Sequence, residues 1–157
     1  MKLEEIAELM KRGVEEPPDF ELILQAARQD QALATTPFGY WNYKGRLLLH
    51  AILHKAGDLA TQELVSQYVA LYPEAVSTPD SGGYLPLHCA VNRCPMETIQ
   101  YLIELHPSAI RTLTADNMYP LHFSGSRFEV IRVLVERFSR GHGPAIEDGL
   151  LAPSSML

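Results

Sequence analysis

The sequence has few cysteines, no excess of basic residues and no long apolar run, and each absence narrows the possible functions. Only two cysteines occur in 157 residues, at Cys89 and Cys94. Two thiols five positions apart make a poor disulfide framework, so we expect an intracellular protein, cytoplasmic or nuclear. The formal net charge is -6, whereas a general nucleic-acid binder needs a basic face. No apolar stretch approaches the roughly 20 residues of a membrane-spanning helix, so we expect neither nucleic acid nor membrane as a partner.

Motifs for catalysis and for phosphate binding are missing as well. The Ser-Gly-Ser segment at 124–126 does not match a Gly-x-Ser-x-Gly nucleophile turn, and no strand is predicted before it. No glycine-rich loop is followed by the lysine of a phosphate-binding loop. His142 lies between two glycines, where no neighbouring side chain is held against it. We therefore predict that the protein is not an enzyme and has no catalytic residue, cofactor or metal.

A repeat is the main feature that the sequence does contain. The segment 82–90, Gly-Gly-Tyr-Leu-Pro-Leu-His-Cys-Ala, returns at 117–124 as Asn-Met-Tyr-Pro-Leu-His-Phe-Ser, and more faintly at 45–51. A second marker, Pro-Glu-Ala-Val from Pro73, returns as Pro-Ser-Ala-Ile from Pro107. The interval from Pro73 to Pro107 equals that from His88 to His122. Two independent markers with one period predict an array of repeated supersecondary units.

Apolar spacing within and before this repeat predicts helices throughout. Each Pro-Leu-His segment begins a short inner helix, and an outer helix follows it, the first of them over 59–72. Two further helices, over 3–12 and about 20–33, form an N-terminal cap at 1–35, because end units of an array are atypical. We thus predict an all-α solenoid with three parts: the cap, about three repeats at 36–140, and a partly disordered tail at 141–157.

The repeat resembles the turn and inner helix of ankyrin repeats. The residues that match the Pro-Leu-His signature are Pro86, Leu87, His88 and Ala90 in one unit and Pro120, Leu121 and His122 in the next. The sequence departs from the signature where it has threonine, because Leu47, Leu85 and Tyr119 stand there. Each unit therefore lacks a capping hydroxyl, typically worth ~1 kcal/mol. The resemblance covers residues 36–140 and implies an ankyrin-repeat solenoid.

The recurring histidines have two interpretations. His50, His88 and His122 occupy the same position in successive units. The resemblance implies that each histidine ties neighbouring turns through backbone hydrogen bonds. The alternative is a metal-binding or catalytic row, since neutral imidazole is a common ligand. No acid or thiol recurs beside the histidines, so the first interpretation is favoured.

The resemblance also implies a function, because ankyrin-like arrays bind proteins through turn tips and the concave face of the inner helices. We therefore expect an adaptor that binds another protein; the alternative is that the chain is a fragment of a larger array. The expected contact residues are Tyr40, Trp41, Tyr43, Arg46, Tyr84, Asn92, Arg93, Met118 and Arg127.

Two regions of the sequence leave alternatives open. The aromatic connection at 37–43 is five residues longer than its later counterpart, and it serves either as a contact site or as part of the core. A third arrangement shares the residues, with Phe38 buried and Trp41 and Tyr43 pointing outward. The last outer helix is apolar on almost all sides. We expect Ile146, Leu150 and Leu151 to fold back over it or two chains to meet there, giving a monomer or weak self-association.

Overall fold

A computed structural model of the protein describes residues 1–11, 16–38 and 45–140, and in these residues the chain is all-α. They contain eight α-helices and no strand. The helices are α1 (Leu3–Lys11), α2 (Phe20–Gln29), α3 (Ala32–Thr35), α4 (Leu48–Ala56), α5 (Gln62–Leu71), α6 (Pro86–Ala90), α7 (Met96–Leu105) and α8 (Phe128–Arg140). Short 3₁₀ turns occupy Gly57–Leu59, Pro73–Ser77, Pro107–Arg111 and Pro120–Phe123. The predicted all-helical class is confirmed, and no helix in these ranges is long and apolar enough to cross a membrane.

The N-terminal helices α2 and α3 pack on the helix pair formed by α4 and α5. The Asp19 side chain caps α2 by accepting a hydrogen bond from the Leu22 N–H at 3.0 Å. The helix expected over 20–33 is in fact two helices, because the chain is extended at Asp30. The Asp30 carboxylate accepts a hydrogen bond from the Ala32 N–H at 3.1 Å, a local bond that competes with continued helix. α2 then packs against α5, and α3 packs against α4.

Two rows of elements run through the rest of the structure. In the inner row, α4 packs on α6 and α6 packs on the 3₁₀ turn Pro120–Phe123. In the outer row, α2 packs on α5 and α5 packs on α7, and each of these three helices has ten residues. The third inner element is shorter than the helix expected there. Together the rows form two layers with the apolar core between them.

The outer helix α5 begins later than the sequence predicts. α5 starts at Gln62 rather than near Leu59, because Gly57 has φ 52° and turns the chain out of α4. Thr61 then caps α5, its hydroxyl oxygen accepting a hydrogen bond from the Leu64 N–H at 3.2 Å. The predicted helix began too early because Leu59 and Ala60 are apolar, although Leu59 belongs to the 3₁₀ turn.

The outer helices α5 and α7 bury side chains at the same helix positions, whereas α8 buries fewer. The third, fourth, seventh and eighth residues of α5 and α7 are buried, namely Leu64, Val65, Tyr68 and Val69 in α5 and Thr98, Ile99, Leu102 and Ile103 in α7. α8 buries only Val130 and Leu134, and Phe128 on it is 80% exposed. One apolar face of α8 is therefore open to solvent. The expected cover, Ile146, Leu150 and Leu151, lies outside the described residues.

Candidate functional site

The turns that precede the inner helices are closed by matching backbone hydrogen bonds. The N–H of Asp80 donates to the carbonyl of Tyr84, and the N–H of Thr114 donates to that of Met118, both at 2.9 Å. In the first turn the pair is Phe38 and Arg46, at 2.8 Å. This pair spans eight residues where the others span four. The first connection is therefore four residues longer than its counterparts, not five, and its Phe38 is buried, with 1% of its surface exposed.

Successive turns lie against each other through glycine. Gly83 has φ 79°, and a Cβ atom there would lie 2.9 Å from the backbone nitrogen of Ala115. Gly45 has φ 69° and would place a Cβ atom 2.7 Å from the nitrogen of Ser81. Any side chain at these two positions would clash with the next turn. The close approach brings the turn side chains of neighbouring units onto one edge of the structure.

Each recurring histidine makes the same local hydrogen bond. The Nδ1 atoms of His50, His88 and His122 accept bonds from the N–H groups that begin their inner elements, at 3.2, 3.0 and 2.9 Å. A backbone N–H can only donate, so the neutral ring carries its hydrogen on Nε2. This bond satisfies an N–H group at the helix start where the sequence lacks a capping threonine.

Two of the histidines also reach into the next unit. His50 Nε2 donates to the Tyr84 carbonyl at 2.9 Å, and His88 Nε2 donates to the Thr112 carbonyl at 3.0 Å. His50 is fully buried and His88 is 2% exposed. His122 is exposed, and no unit follows it in the described part of the chain. The histidine therefore works as a tie between units, as the resemblance implied.

Burial keeps the rings of His50 and His88 neutral. Desolvation lowers the pKa of His50 to about 4, although the nearby Asp80 carboxylate acts in the opposite direction. Burial also lowers the pKa of His88. Both rings are therefore neutral at pH 7, and backbone groups occupy both of their nitrogens. Within the described ranges, no group of three or more His, Cys, Asp or Glu side chains could hold a metal ion.

Asp80 organises the turn that carries Tyr84. One carboxylate oxygen accepts hydrogen bonds from the N–H groups of Gly82 and Tyr84, both at 2.9 Å. The other oxygen accepts a hydrogen bond from Arg46 Nε at 2.9 Å, in a pair whose side chains are only 5% and 12% exposed. The Arg46 guanidinium lies 5.7 Å from the centre of the Tyr84 ring. The sequence alone did not predict this pairing of Asp80 with Arg46.

Two further arginines lie at the ends of inner helices. Arg127 donates to the Val91 carbonyl at 3.0 Å, at the C-terminal cap of α6. Arg93, one repeat period earlier, lies over Gly57 at the end of α4, where an added Cβ atom would be 3.3 Å from the guanidinium. A positive charge is favourable at a helix C-terminus. Arg127, expected to contact a partner, therefore ties two units together.

These elements enclose a groove of about 650 Å³ on the side of the inner helices. Four of the expected contact residues line it: Arg46, Tyr84, Asn92 and Arg93. Met118 and Arg127 are not part of the lining. The remaining three, Tyr40, Trp41 and Tyr43, lie outside the described residues. The volume falls within the roughly 300–1,000 Å³ usual for ligand clefts.

One wall of the groove is aromatic. The ring centres of Tyr84 and Phe123 are 5.2 Å apart, and His88 lies 5.9 Å from the first and 5.8 Å from the second. Phe123 comes from the third unit and is half-buried. Sequence reasoning did not select it, although it directly follows His122 in the repeat. The aromatic wall therefore combines two units, and it offers an apolar aromatic surface to a ligand.

The groove also carries positively charged side chains. Burial lowers the pKa of His54, and the positive charges of Arg46, Lys55 and Arg93 lower it further. Three cationic side chains thus act on one imidazole. Asp58 is the one carboxylate among the described residues that line the groove. The groove is therefore cationic in a chain whose formal net charge is -6.

The thiol in the groove has no nucleophilic character. Burial raises the pKa of Cys89 to about 12 and that of Cys94 to about 12, so both thiols are protonated at pH 7. Cys94 also donates a hydrogen bond from Sγ to the Leu53 carbonyl at 3.3 Å. Both cysteines therefore act as small core residues.

Comparisons of the chain with models of known protein families, with curated proteins and with solved structures found no match.

Proposed function

We propose that the protein is an array of ankyrin-type repeats and that it binds a segment of another protein in the groove between its turns and inner helices. The observation that carries this proposal is the composition of the groove. Arg46 comes from one turn, Tyr84 from the next turn, and Asn92 and Arg93 from the end of an inner helix. A concave surface assembled from consecutive units is the surface that repeat arrays offer to partners.

The register of the ties supports the array. The carbonyls of Thr78 and Tyr84 face His50, and those of Thr112 and Met118 face His88. Each acceptor in the first pair is separated from its counterpart in the second by one repeat period. The arginines at the helix ends keep the same interval. The carbonyl acceptors of these contacts therefore repeat with the sequence period.

Inserting one exact unit tests the array. In a stack, stability is approximately the sum of unit and interface contributions. A second copy of residues 84–117, placed directly after the first, is expected to raise both the urea midpoint and the m-value. Duplication of residues 84–100 alone is the control, because half a unit breaks the register. An exact unit that destabilises the protein as much as the half unit contradicts the proposal.

A photocrosslinking amino acid in the groove tests the binding function. Asn92 is exposed in the groove and Gln100 is exposed on the outer helix α7, so the two polar positions form a matched pair. Benzoylphenylalanine at position 92 is expected to capture a defined partner in cell extract, and the same amino acid at position 100 is not. Equal capture at both positions, or no capture at position 92, contradicts the proposed function.

A further inference from the structure

The geometry points to an acidic peptide segment that carries an apolar side chain as the occupant of the groove. This inference rests on the proposed function and specifies its partner. Two kinds of lining residue define the chemistry: cationic side chains, and the rings of Tyr84 and Phe123. A segment with carboxylates and one aromatic or aliphatic residue is complementary to both kinds.

Arg93 is the principal contact for a carboxylate. Its side chain is exposed, and its guanidinium makes no hydrogen bond or ion pair with any residue in the described ranges. Lys55 adds a second positive charge to the same lining, and Asp58 is the one described carboxylate that opposes them there. The protein as a whole is acidic, so this local excess of positive charge marks the groove as the place where an acidic segment is attracted rather than repelled.

Arg46 makes its contacts within the protein instead. Its guanidinium is paired with Asp80, so its charge is largely compensated within the protein. It lies over the Tyr84 ring and so holds the aromatic wall in place. Phosphate groups are typically recognised by clusters of arginines, whereas one of the two arginines lining this groove is engaged. The arrangement therefore favours carboxylates over phosphorylated residues.

The aromatic wall has room for an apolar side chain. Tyr84 and Phe123 are both half-buried, so part of each ring faces the groove. The rings come from different units and are held by the packing of the turns. A preformed surface of this kind takes up an apolar side chain without ordering new protein groups, which lowers the entropy cost of binding.

Selection from a peptide library tests this inference without knowledge of the natural partner. The full-length protein is used to select binders from a phage library of random 12-residue peptides. Selected peptides are then made with a fluorescent label, and their affinities are measured by anisotropy for the wild-type protein and for two charge-reversed variants, Arg93→Glu and Arg132→Glu. Arg132 is the matched control, since it is an exposed arginine on α8 whose side chain is 65% exposed and which does not line the groove.

The expected result is enrichment of peptides with several Asp or Glu residues and at least one apolar residue. Arg93→Glu should weaken these peptides about fivefold or more, the upper range for an exposed ion pair, and Arg132→Glu should change their affinity less than twofold. Raising the salt concentration from 50 to 500 mM should also weaken the binding of these peptides to the wild-type protein. Unchanged thermal unfolding of both variants shows that the fold is intact.

Two other outcomes separate the inference from the function on which it rests. Peptides that lose affinity in Arg93→Glu but show no enrichment in acidic residues overturn the acidic segment and leave the binding function standing. Peptides whose affinity is insensitive to Arg93→Glu and to Tyr84→Ala, or a library that yields no binders, overturn both.

Discussion

Acidification from pH 8 to pH 5 is expected to reduce the free energy of unfolding by about 2 kcal/mol through His50 alone. The pKa of this buried ring is about 4 in the folded protein, against 6.5 for an ordinary histidine. The unfolded chain therefore takes up a proton as the pH falls through 6.5, and the folded protein does not until about pH 4. The His50 contribution is fully present above this window and is lost as the pH falls through it. Its total size, for a difference of about 2.5 pKa units, is about 3 kcal/mol.

The surroundings of His50 explain the direction of the shift. Burial disfavours the charged ring most, and Arg46 adds to the effect, while Asp80 and the carbonyls of Tyr84 and Thr78 oppose it. Protonation would also leave Nδ1 without the lone pair that accepts the Leu47 N–H. An acidified protein thus loses a local hydrogen bond and buries a charge at the same time.

Urea unfolding at pH 8 and at pH 5 measures the effect. His50→Asn removes the titrating group, so the stability difference between wild type and this variant should shrink by about 2 kcal/mol over the interval. His122→Asn is the matched control, because His122 makes the same Nδ1 bond but is exposed; this variant keeps His50 and should still lose about 2 kcal/mol of stability through it over the interval. Nuclear magnetic resonance of the wild-type rings gives a direct check. A His50 signal that titrates near pH 6.5, or a stability difference that is equal at both pH values, refutes the reasoning.

Three further predictions concern the core, the C-terminal end and the aromatic connection. Leu102→Ala should lower the free energy of unfolding, measured by chemical denaturation, by ~2–5 kcal/mol, because the side chain is 1% exposed. Leu105→Ala, at a 46% exposed position, is the control and should lower it by less than about 1 kcal/mol. Ending the chain after Arg140 should lower solubility or stability or change the oligomeric state, since α8 keeps an open apolar face; a truncated protein as soluble, stable and monomeric as the full chain contradicts this. If Trp41 is a contact residue, its fluorescence should be red-shifted and quenched by acrylamide. Trp41→Ala should then weaken partner capture by more than about 1 kcal/mol. A blue-shifted, protected Trp41 whose loss destabilises the fold would assign it to the core instead.

The helix pairs and part of the groove could be predicted from the sequence because both follow from the repeat. The recurring turn motif, at 45–51 and 82–90, places Arg46 and Tyr84 at equivalent positions of successive turns. It also places Asn92 and Arg93 at the end of an inner helix. The structure brings these four residues into one groove, whereas Met118 and Arg127, one period after Tyr84 and Arg93, do not line it.

The partners of individual side chains could not be predicted in this way. A period states that Arg127 and Arg93 are equivalent, but it does not show that one donates to a neighbouring carbonyl while the other stays exposed. Asp80 pairs with Arg46, a residue of the preceding turn, and this contact depends on how closely the turns approach. The start of α5 was also predicted too early, because Leu59 and Ala60 are apolar although the chain forms a 3₁₀ turn at Gly57–Leu59.

The histidine ties end on carbonyl groups rather than on side chains, and this has a consequence for how such a protein can change. The carbonyls of Tyr84 and Thr112 accept from His50 and His88, and every amino acid supplies a carbonyl. Substitution at an accepting position therefore alters the surface chemistry while the bond that joins the units is kept. Surface chemistry and assembly depend on different atoms of the same residues, so the turn positions are suitable for diversification in the laboratory and for divergence in evolution.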